Sequence, residues 1–338
     1  MKKTFDGRSG DLTKTQVLST LGAALPKGTN GVWCASFLAT WKKLAADIAG
    51  EDVTLDGTPE TAALLNKAAD PRPQVPPGAL YVAAGRQQRI VERIADDLKR
   101  CFPDKPTPTF RGMADDSFVA YAYLEANVKF PLPYLQSRKP LEFTDSLGTK
   151  TGVTSFGIRW EDHSNYHRLR SQPGILFLKG GSLDKNQEFA IDLSTKSSPS
   201  QVVVARIRAE ATLAAAVARV EGEQAKLRER DKLGPNDVLL VPDFFWQISH
   251  RFSDLEGKGF KNCNLNGQRL DVAQQDILFR LDRSGAELKS ESTMLMLSTG
   301  TNFVLDRPFL IYMKARGATA PYFAMWVDNA ELLTPWSK

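Results

Sequence analysis

Histidine is the residue type in this chain whose spacing most directly suggests metal chemistry. His163 and His167 lie four residues apart in the stretch EDHSNYH, and on a helix this spacing could present two imidazoles to one metal ion. The sequence places no third ligand beside them, and the nearby Gly and Pro residues favour a polar loop over a helix. We therefore predict that these two residues and His250 form no metal site.

The three cysteines are Cys34, Cys101 and Cys263. Their spacing fits neither a zinc site nor a disulfide framework, and a small odd number is typical of a reducing compartment. Cys34 lies in an apolar stretch with no histidine that the sequence can position, which predicts a buried thiol rather than a nucleophile. Because no catalytic triad, carboxylate pair or cofactor fingerprint is visible, we expect a protein that is not an enzyme and needs no cofactor.

Charge and hydropathy exclude further classes of function. The 338 residues include 44 Lys and Arg against 39 Asp and Glu, a net charge of +5. Basic residues mostly alternate with acidic ones, as in Glu221–Lys232, whereas nucleic-acid binding requires clusters of basic residues. Residues 1–10 are polar and charged, and the apolar runs are too short to span a membrane. We expect a cytoplasmic protein without nucleic-acid or membrane partners.

Apolar periodicity predicts the elements of the N-terminal half. A wide apolar face recurs over Val32–Ile48, which predicts a buried helix that contains Trp33, Phe37 and Trp41 and ends at Gly50. The other predicted elements are a short helix over Thr13–Leu21, helices over Thr58–Ala69 and Arg86–Phe102, and strands over Ala79–Ala84 and Ser117–Phe130.

The second half alternates short strands with one long helix. Strands are predicted over Gly174–Gly180, Glu188–Asp192 and Asp237–Ile248. Helix propensity and the Ser198–Ser200 cap predict a helix over Gln201–Arg230. One face of this helix could bind a protein partner, although a solvated helix packed by Ala and Val is the simpler interpretation.

The chain from Asp276 to Asn329 contains the remaining functional candidate. Ile277–Asp282 predicts an apolar strand, followed by the turn Arg283–Gly285 and a loop of mixed character. Pro308–Lys314 and Pro321–Asn329 then predict a closing hairpin, whose residues Phe309, Ile311, Phe323 and Trp326 should share a core with Trp33, Phe37 and Trp41.

This order resembles the C-terminal third of the serpins. In that family a strand ends in Asp/Glu-x-x-Gly, an exposed reactive-centre loop follows, and two buried strands beginning Pro-Phe close the molecule. Val241-Pro242-Asp243-Phe244 resembles the family's Leu-Pro-x-Phe strand, and the stretch from Asn30 to Phe37 resembles the segment that opens a core helix. The resemblance covers nearly the whole chain and implies a divergent, shortened and prokaryotic member.

The resemblance implies an α+β fold in one domain over residues 1–338. A large central mixed or antiparallel sheet, further sheets and surrounding helices are expected. The segment Gly285–Arg307 would be presented to a serine or cysteine protease. The hinge of this loop would be Gly285, Ala286, Glu287 and Leu288. The residues recognised by the protease would be Met296, Leu297, Ser298, Thr299 and Gly300.

Several residues depart from the family pattern for trapping a protease. Alignment puts Ala120, Val128 and Gln275 where the family has Asn, Trp and His, and Leu288 and Lys289 replace small hinge residues. These departures favour a serpin fold whose trapping mechanism is lost or reworked. The alternatives are a non-inhibitory binding or scaffolding module, or a basic surface for polyanions. The stretch Thr293–Leu297 could also be an ordinary added strand.

Overall fold

The computed structural model describes residues 3–102, 118–125, 128–159, 166–180, 187–226, 231–283 and 301–336. The strands of the first half are β1 (Phe5–Arg8), β2 (Thr15–Val17), β3 (Asn30–Cys34), β4 (Leu80–Arg86), β5 (Phe118–Leu124), β6 (Leu135–Gln136), β7 (Leu141–Thr144), β8 (Lys150–Val153) and β9 (Ser155–Ile158). Those of the second half are β10 (Gly174–Lys179), β11 (Glu188–Asp192), β12 (Ser200–Arg206), β13 (Val238–Pro242), β14 (Phe244–Arg251), β15 (Lys258–Gly259), β16 (Arg269–Leu270), β17 (Gln274–Leu281), β18 (Asn302–Val304), β19 (Phe309–Ala315) and β20 (Phe323–Val327). The helices are α1 (Ala35–Leu44), α2 (Glu60–Lys67), α3 (Gln87–Cys101), α4 (Tyr166–Leu169) and α5 (Leu213–Gln224).

A seven-stranded sheet with the order β10-β11-β12-β19-β20-β3-β2 forms the centre of the molecule. Its strands are antiparallel except for β2 and β3, which run parallel. The chain also forms a three-stranded sheet β1-β14-β17, a four-stranded sheet β18-β13-β9-β6, and the pairs β4-β5, β7-β8 and β15-β16. The large mixed sheet, the smaller sheets and the helices confirm the predicted α+β class.

The predicted helix over Val32–Ile48 is wrong at its start. Asn30–Cys34 is β3, all five residues of which are buried, and the helix α1 begins only at Ala35. The residues from Gly31 to Cys34 pair with β20, so tertiary pairing overrides the helical spacing of the apolar residues. The predicted helix over Thr13–Leu21 is also wrong, because Thr15–Val17 pairs with β3 as β2. Gly50 does end the helical segment, with φ at +74°.

The predicted helix over Gln201–Arg230 is in fact a strand followed by a shorter helix. Ser200–Arg206 is β12, which pairs with β11 and β19 in the middle of the large sheet. Three consecutive valines in this stretch suit a strand that is buried on both faces. The helix α5 begins after Thr212, whose hydroxyl accepts a hydrogen bond from the Ala215 amide at 3.1 Å. Helix propensity alone did not reveal this boundary.

Most other predicted elements are present, with small shifts at their ends. They are the helices α2 and α3 and the strands β4, β5, β10, β11, β17, β19 and β20. The predicted strand over Asp237–Ile248 is divided at Asp243 into β13 and β14, which belong to different sheets. No helix in the described ranges is long and apolar enough to cross a membrane.

The residues predicted to form the core are all buried within one apolar cluster. They are Trp33, Phe37, Trp41, Phe309, Ile311, Phe323 and Trp326. Trp33 reaches this cluster from β3 rather than from a helix. The Nε1 of Trp41 donates a hydrogen bond of 2.7 Å to Oδ1 of Asn66 on α2, so this indole also ties two helices together.

A buried amide network joins the two ends of the chain. Oδ1 of Asn30 accepts the backbone N–H groups of Asp328 and Asn329 at 2.8 and 3.0 Å. Its Nδ2 donates to Oγ1 of Thr15 at 3.1 Å and to Oδ1 of Asn329 at 2.9 Å. Asn30 is fully buried, so each of these partners would lose its hydrogen bond in a dry environment if the amide were removed.

Trp41→Ala should lower the free energy of unfolding by about 3–5 kcal/mol, because it empties a packed site and leaves Asn66 without its indole partner. Urea unfolding at fixed pH measures the difference. Leu147→Ala is the control, since Leu147 is 76% exposed, and it should change stability little. Equal effects of the two substitutions would contradict the assignment of Trp41 to the core.

Asn30→Ala should lower the free energy of unfolding by about 3 kcal/mol or more, because two backbone donors and the Thr15 hydroxyl lose a buried partner. Asn30→Asp keeps the acceptor but loses the Nδ2 donor and adds a buried charge, so it should also destabilise the protein. Denaturant unfolding of both variants checks this. A loss below about 1 kcal/mol for Asn30→Ala would show that water replaces the amide.

Candidate functional site

The candidate site is the pair of anchors from which the segment 284–300 leaves and to which it returns. At the first anchor, the carbonyl of Arg283 accepts a hydrogen bond of 3.1 Å from the amide of Tyr134. At the second anchor, the amide of Thr301 donates to Oδ1 of Asp237 at 2.9 Å, and its carbonyl accepts from the amide of Val238 at 3.0 Å. Both anchors lie against buried residues, since Tyr134 and Asp237 are at most 2% exposed.

One stretch of chain supports both anchors. β13 pairs in parallel with β18, which begins just after the second anchor. β14 pairs with β17, whose Leu281 lies opposite Phe244 just before the first anchor. Asp243 is the residue between β13 and β14, at the point where the chain passes from the four-stranded to the three-stranded sheet. The stretch from Asp237 to Arg251 therefore fixes both ends of the segment.

The predicted protease-recognition residues lie outside the described residues. This holds for the hinge residues Gly285, Ala286, Glu287 and Leu288 and for Met296, Leu297, Ser298, Thr299 and Gly300, which therefore remain predictions. The loop predicted over Gly285–Arg307 is too long at its C-terminal end. Asn302–Val304 forms β18, and Phe303 and Leu305 are fully buried. The run Phe303-Val304-Leu305 is apolar, so it packs into the core and does not form part of an exposed loop.

Asp243 is a fully buried carboxyl group beside the first anchor. Its Oδ2 accepts a hydrogen bond of 2.6 Å from Nε2 of Gln136 on β6. Its backbone amide donates to the Thr154 carbonyl at 3.0 Å, and its carbonyl accepts from the Thr334 amide at 2.9 Å. Burial raises the pKa of Asp243 to about 6, although the hydrogen bonds of Thr154 and Gln136 oppose this shift. Sequence reasoning missed this residue; the signal available was a carboxylate within the apolar run VLLVPDFFW.

Two strand edges meet beside the first anchor without pairing. β17 pairs with β14 on one side, β5 pairs with β4 on one side, and the described residues provide no ladder between β17 and β5. The two strands are neighbours, because both pack against α1 and because the charge of Asp276 on β17 contributes to the raised pKa of Tyr121 on β5. Burial is the larger cause of that shift, which takes the pKa of Tyr121 to about 12.

Gln275 holds β17 to the start of α1. Its Nε2 donates to the carbonyl of Cys34 at 3.1 Å and to the hydroxyl of Ser36 at 2.8 Å. Gln275 is 4% exposed, and its Oε1 has no partner among the residues that the structure describes. Of the other departures, Ala120 lies on β5 opposite Ala84, and Val128 lies beyond the end of that strand, half-buried against the main core.

The histidines are not brought together where the structure describes them. His167 lies on α4, with its ring against Tyr166, whereas His250 lies on β14 and its Nδ1 is 2.7 Å from the Ser9 hydroxyl. His163 lies outside the described residues. Burial lowers the pKa of His250. Among the residues that the structure describes, no group of three His, Cys, Asp or Glu side chains could hold a metal ion.

The cysteine prediction is confirmed for Cys34. This thiol is buried at the end of β3, and burial raises its pKa, which keeps it protonated and unreactive at neutral pH. Cys101 and Cys263 are exposed and unpaired. The features of the described structure that suggest a function are thus the edges of β17 and β5 and the two anchors.

The comparisons with known proteins match structures and not sequences. No family model matches the sequence, and no curated protein matches it. The native thermophilic serpin Tengpin superposes with a TM-score of 0.51 and 11% identity, covering 95% of this chain and 99% of that chain. Native protease nexin-1 with heparin superposes with a TM-score of 0.51 and 10% identity, covering 89% and 92% of the two chains.

A third match is shorter. The complex of thyroxine-binding globulin with thyroxine has a TM-score of 0.45 and 12% identity, and the alignment covers 71% of this chain and 64% of that chain. The two longer superpositions span most of both chains in each case, at a level of identity that speaks to architecture alone. Together with the paired strands and the two anchors described above, they establish that this chain has the serpin fold.

Proposed function

We propose that this protein presents the segment between Arg283 and Thr301 to a protease of the serine or cysteine type. The observation that carries the proposal is that the stretch from Asp237 to Arg251 anchors both ends of that segment. Fixed ends hold a connecting segment in a defined place, which suits recognition by another protein. The serpin fold supports the same conclusion, because members of that family generally bind and inhibit proteases.

The recognition residues proposed are Met296, Leu297, Ser298, Thr299 and Gly300. The apolar residues Leu295–Leu297 suit the binding pocket of a chymotrypsin-like or subtilisin-like protease. We propose that the chain acts as one domain, since the larger of two apolar clusters contains residues from Val17 to Leu333 and the smaller one holds only α3 against β4 and β5.

The unpaired edges of β17 and β5 support a further element of the proposal. A strand added between them would gain ladder hydrogen bonds on both sides and bury alternate side chains. Gly285–Leu288, which are separated from the end of β17 by three residues, would act as the hinge that lets the segment turn back into this space. Such an insertion after cleavage would stabilise the protein relative to its uncut form.

A non-inhibitory protein with this fold is the second candidate, and the hydrogen bonds of Gln275 favour it. These bonds hold β17 against α1, so β17 cannot move away from α1 without breaking the hydrogen bonds that Gln275 donates to the Ser36 hydroxyl and the Cys34 carbonyl. Leu288 and Lys289 add bulk to the hinge, where larger side chains slow entry into a sheet. On this alternative the loop still binds a protease but does not trap it.

Cleavage within Met296–Gly300 should be followed by only a modest rise in Tm and by little covalent complex. The physical reason is that Gln275, Leu288 and Lys289 oppose entry of the cut loop into the sheet. The measurement is Tm before and after limited proteolysis, with a denaturing gel of each reaction mixture. A large rise in Tm together with a stable complex of summed mass would show that trapping is intact. Resistance of residues 284–300 to every protease tested would contradict presentation of the loop.

Gln275→Ala should increase the rise in Tm that follows cleavage, because it removes the two hydrogen bonds that hold β17 to α1. Gln274→Ala is the matched control: Gln274 is the neighbouring residue, is exposed, and its side-chain amide donates to Asp276 on its own strand. Tm is compared for uncut and cut forms of each variant. Equal rises in the wild type and in Gln275→Ala would show that Gln275 does not control insertion.

A further inference from the structure

Asp243 is a buried carboxyl group for which presentation of the loop gives no role. It is inaccessible to solvent, and its Oδ1 has no hydrogen-bond partner in the described ranges. A hydrophobic residue in this place would pack without the cost of burying a polar group. The chain instead carries a carboxyl group directly beneath the point where it leaves β17.

The groups that face Asp243 come from four parts of the chain. Gln136 on β6 donates to it, and the Thr154 hydroxyl favours its charged form. The end of β17 contributes two opposite charges: the carboxylate of Asp282 opposes ionisation, and the guanidinium of Arg283 favours it. Asp282 is itself paired with Arg280, whose Nε lies 2.6 Å from its Oδ2.

The C-terminal segment closes the remaining side through a backbone contact. Thr334 donates its amide to the Asp243 carbonyl and brings no charge to the carboxylate. Arg283 therefore acts on Asp243 as a positive charge, and the negative charge of Asp282 offsets it. Burial has the largest effect on the pKa of Asp243. The ionised carboxylate is therefore poorly stabilised while it stays enclosed where β13, β14 and β17 meet.

We propose that Asp243 is a proton-controlled latch on the junction of β13, β14 and β17. In its neutral form it permits the junction to stay closed. In its ionised form it favours a local opening that admits water to the carboxylate and breaks the backbone hydrogen bond between Tyr134 and Arg283, against the attraction of the Arg283 guanidinium. This latch does not depend on the proposed protease function, because it concerns the free chain.

The direction of the pH dependence follows from linkage. In the closed junction the pKa of Asp243 is about 6, and in an opened, hydrated junction it returns toward its ordinary value of 3.8. Between these values the closed form binds more protons, so acid favours closure and a rising pH favours opening. The equilibrium constant for opening therefore rises by roughly 100-fold in total, which is the two-unit difference in pKa expressed as a ratio. This rise levels off above pH 6.

Hydrogen exchange on the intact chain tests the latch. The amide of Tyr134 reports the junction, because it donates to the Arg283 carbonyl. Exchange of this amide is followed from about pH 4.5 to 7.5 and corrected for its intrinsic pH dependence. We expect opening to increase by ten- to a hundredfold, with a midpoint near pH 6. In Asp243→Asn, which stays neutral, opening should be low and independent of pH.

Asp306→Asn is the matched control, since Asp306 lies beyond the second anchor and is partly exposed. This variant should keep the wild-type profile. A flat profile in the wild type, or an unchanged profile in Asp243→Asn, would overturn the proposal. If Asp243→Asn does not fold, Gln136→Leu provides the second test: loss of a hydrogen bond to the carboxylate should move the midpoint to higher pH, and an unmoved midpoint would count against the latch.

Discussion

The pairing of β20 with β3 is the interaction on which the rest of the fold depends. β3 begins at residue 30 and β20 ends at residue 327, so their ladder joins the two ends of the chain. The buried amide of Asn30 completes this junction by binding the backbone just after β20. Contacts of such large sequence separation carry a loop-closure cost and slow folding relative to local contacts, so the centre of the sheet is a non-local product of folding.

The position of the last hairpin ties the second anchor to the large sheet. β19 and β20 lie between β12 and β3 in the large sheet, and β18 reaches them through only a short connection. The second anchor is therefore tied to the most buried part of the molecule. The first anchor belongs to β17, an edge strand whose only ladder partner in the described structure is β14. The two ends of the segment thus belong to edge strands of two different sheets, β17 and β18.

Around β17, polar groups are buried with incomplete satisfaction: Oε1 of Gln275 and Oδ1 of Asp243 lack partners in the described ranges, and buried polar atoms of this kind are rare in packed cores. Each of these two oxygens raises the free energy of the closed arrangement without preventing it. Gln275 offsets its cost with two hydrogen bonds to the start of α1, whereas burial raises the pKa of Asp243 and so favours its neutral form. Strain of this sort is expected beside an element that changes its contacts.

The sequence by itself determined the elements whose pattern is local. The 3.6-residue period of Ile90, Ile94 and Leu98 identified α3, and alternation identified β17 and the final hairpin. The order of these elements was enough to predict the serpin fold. Where local propensity and strand pairing favour different elements, only the tertiary structure decided which element forms. Val32–Cys34 and Gln201–Arg206 were assigned to helices from the pattern of the longer stretches that contain them, but both belong to strands because neighbouring strands supply ladder partners and bury both faces. Asp243 became a site in the same way, since a carboxylate acquires its properties from the residues that enclose it and those come from distant parts of the chain.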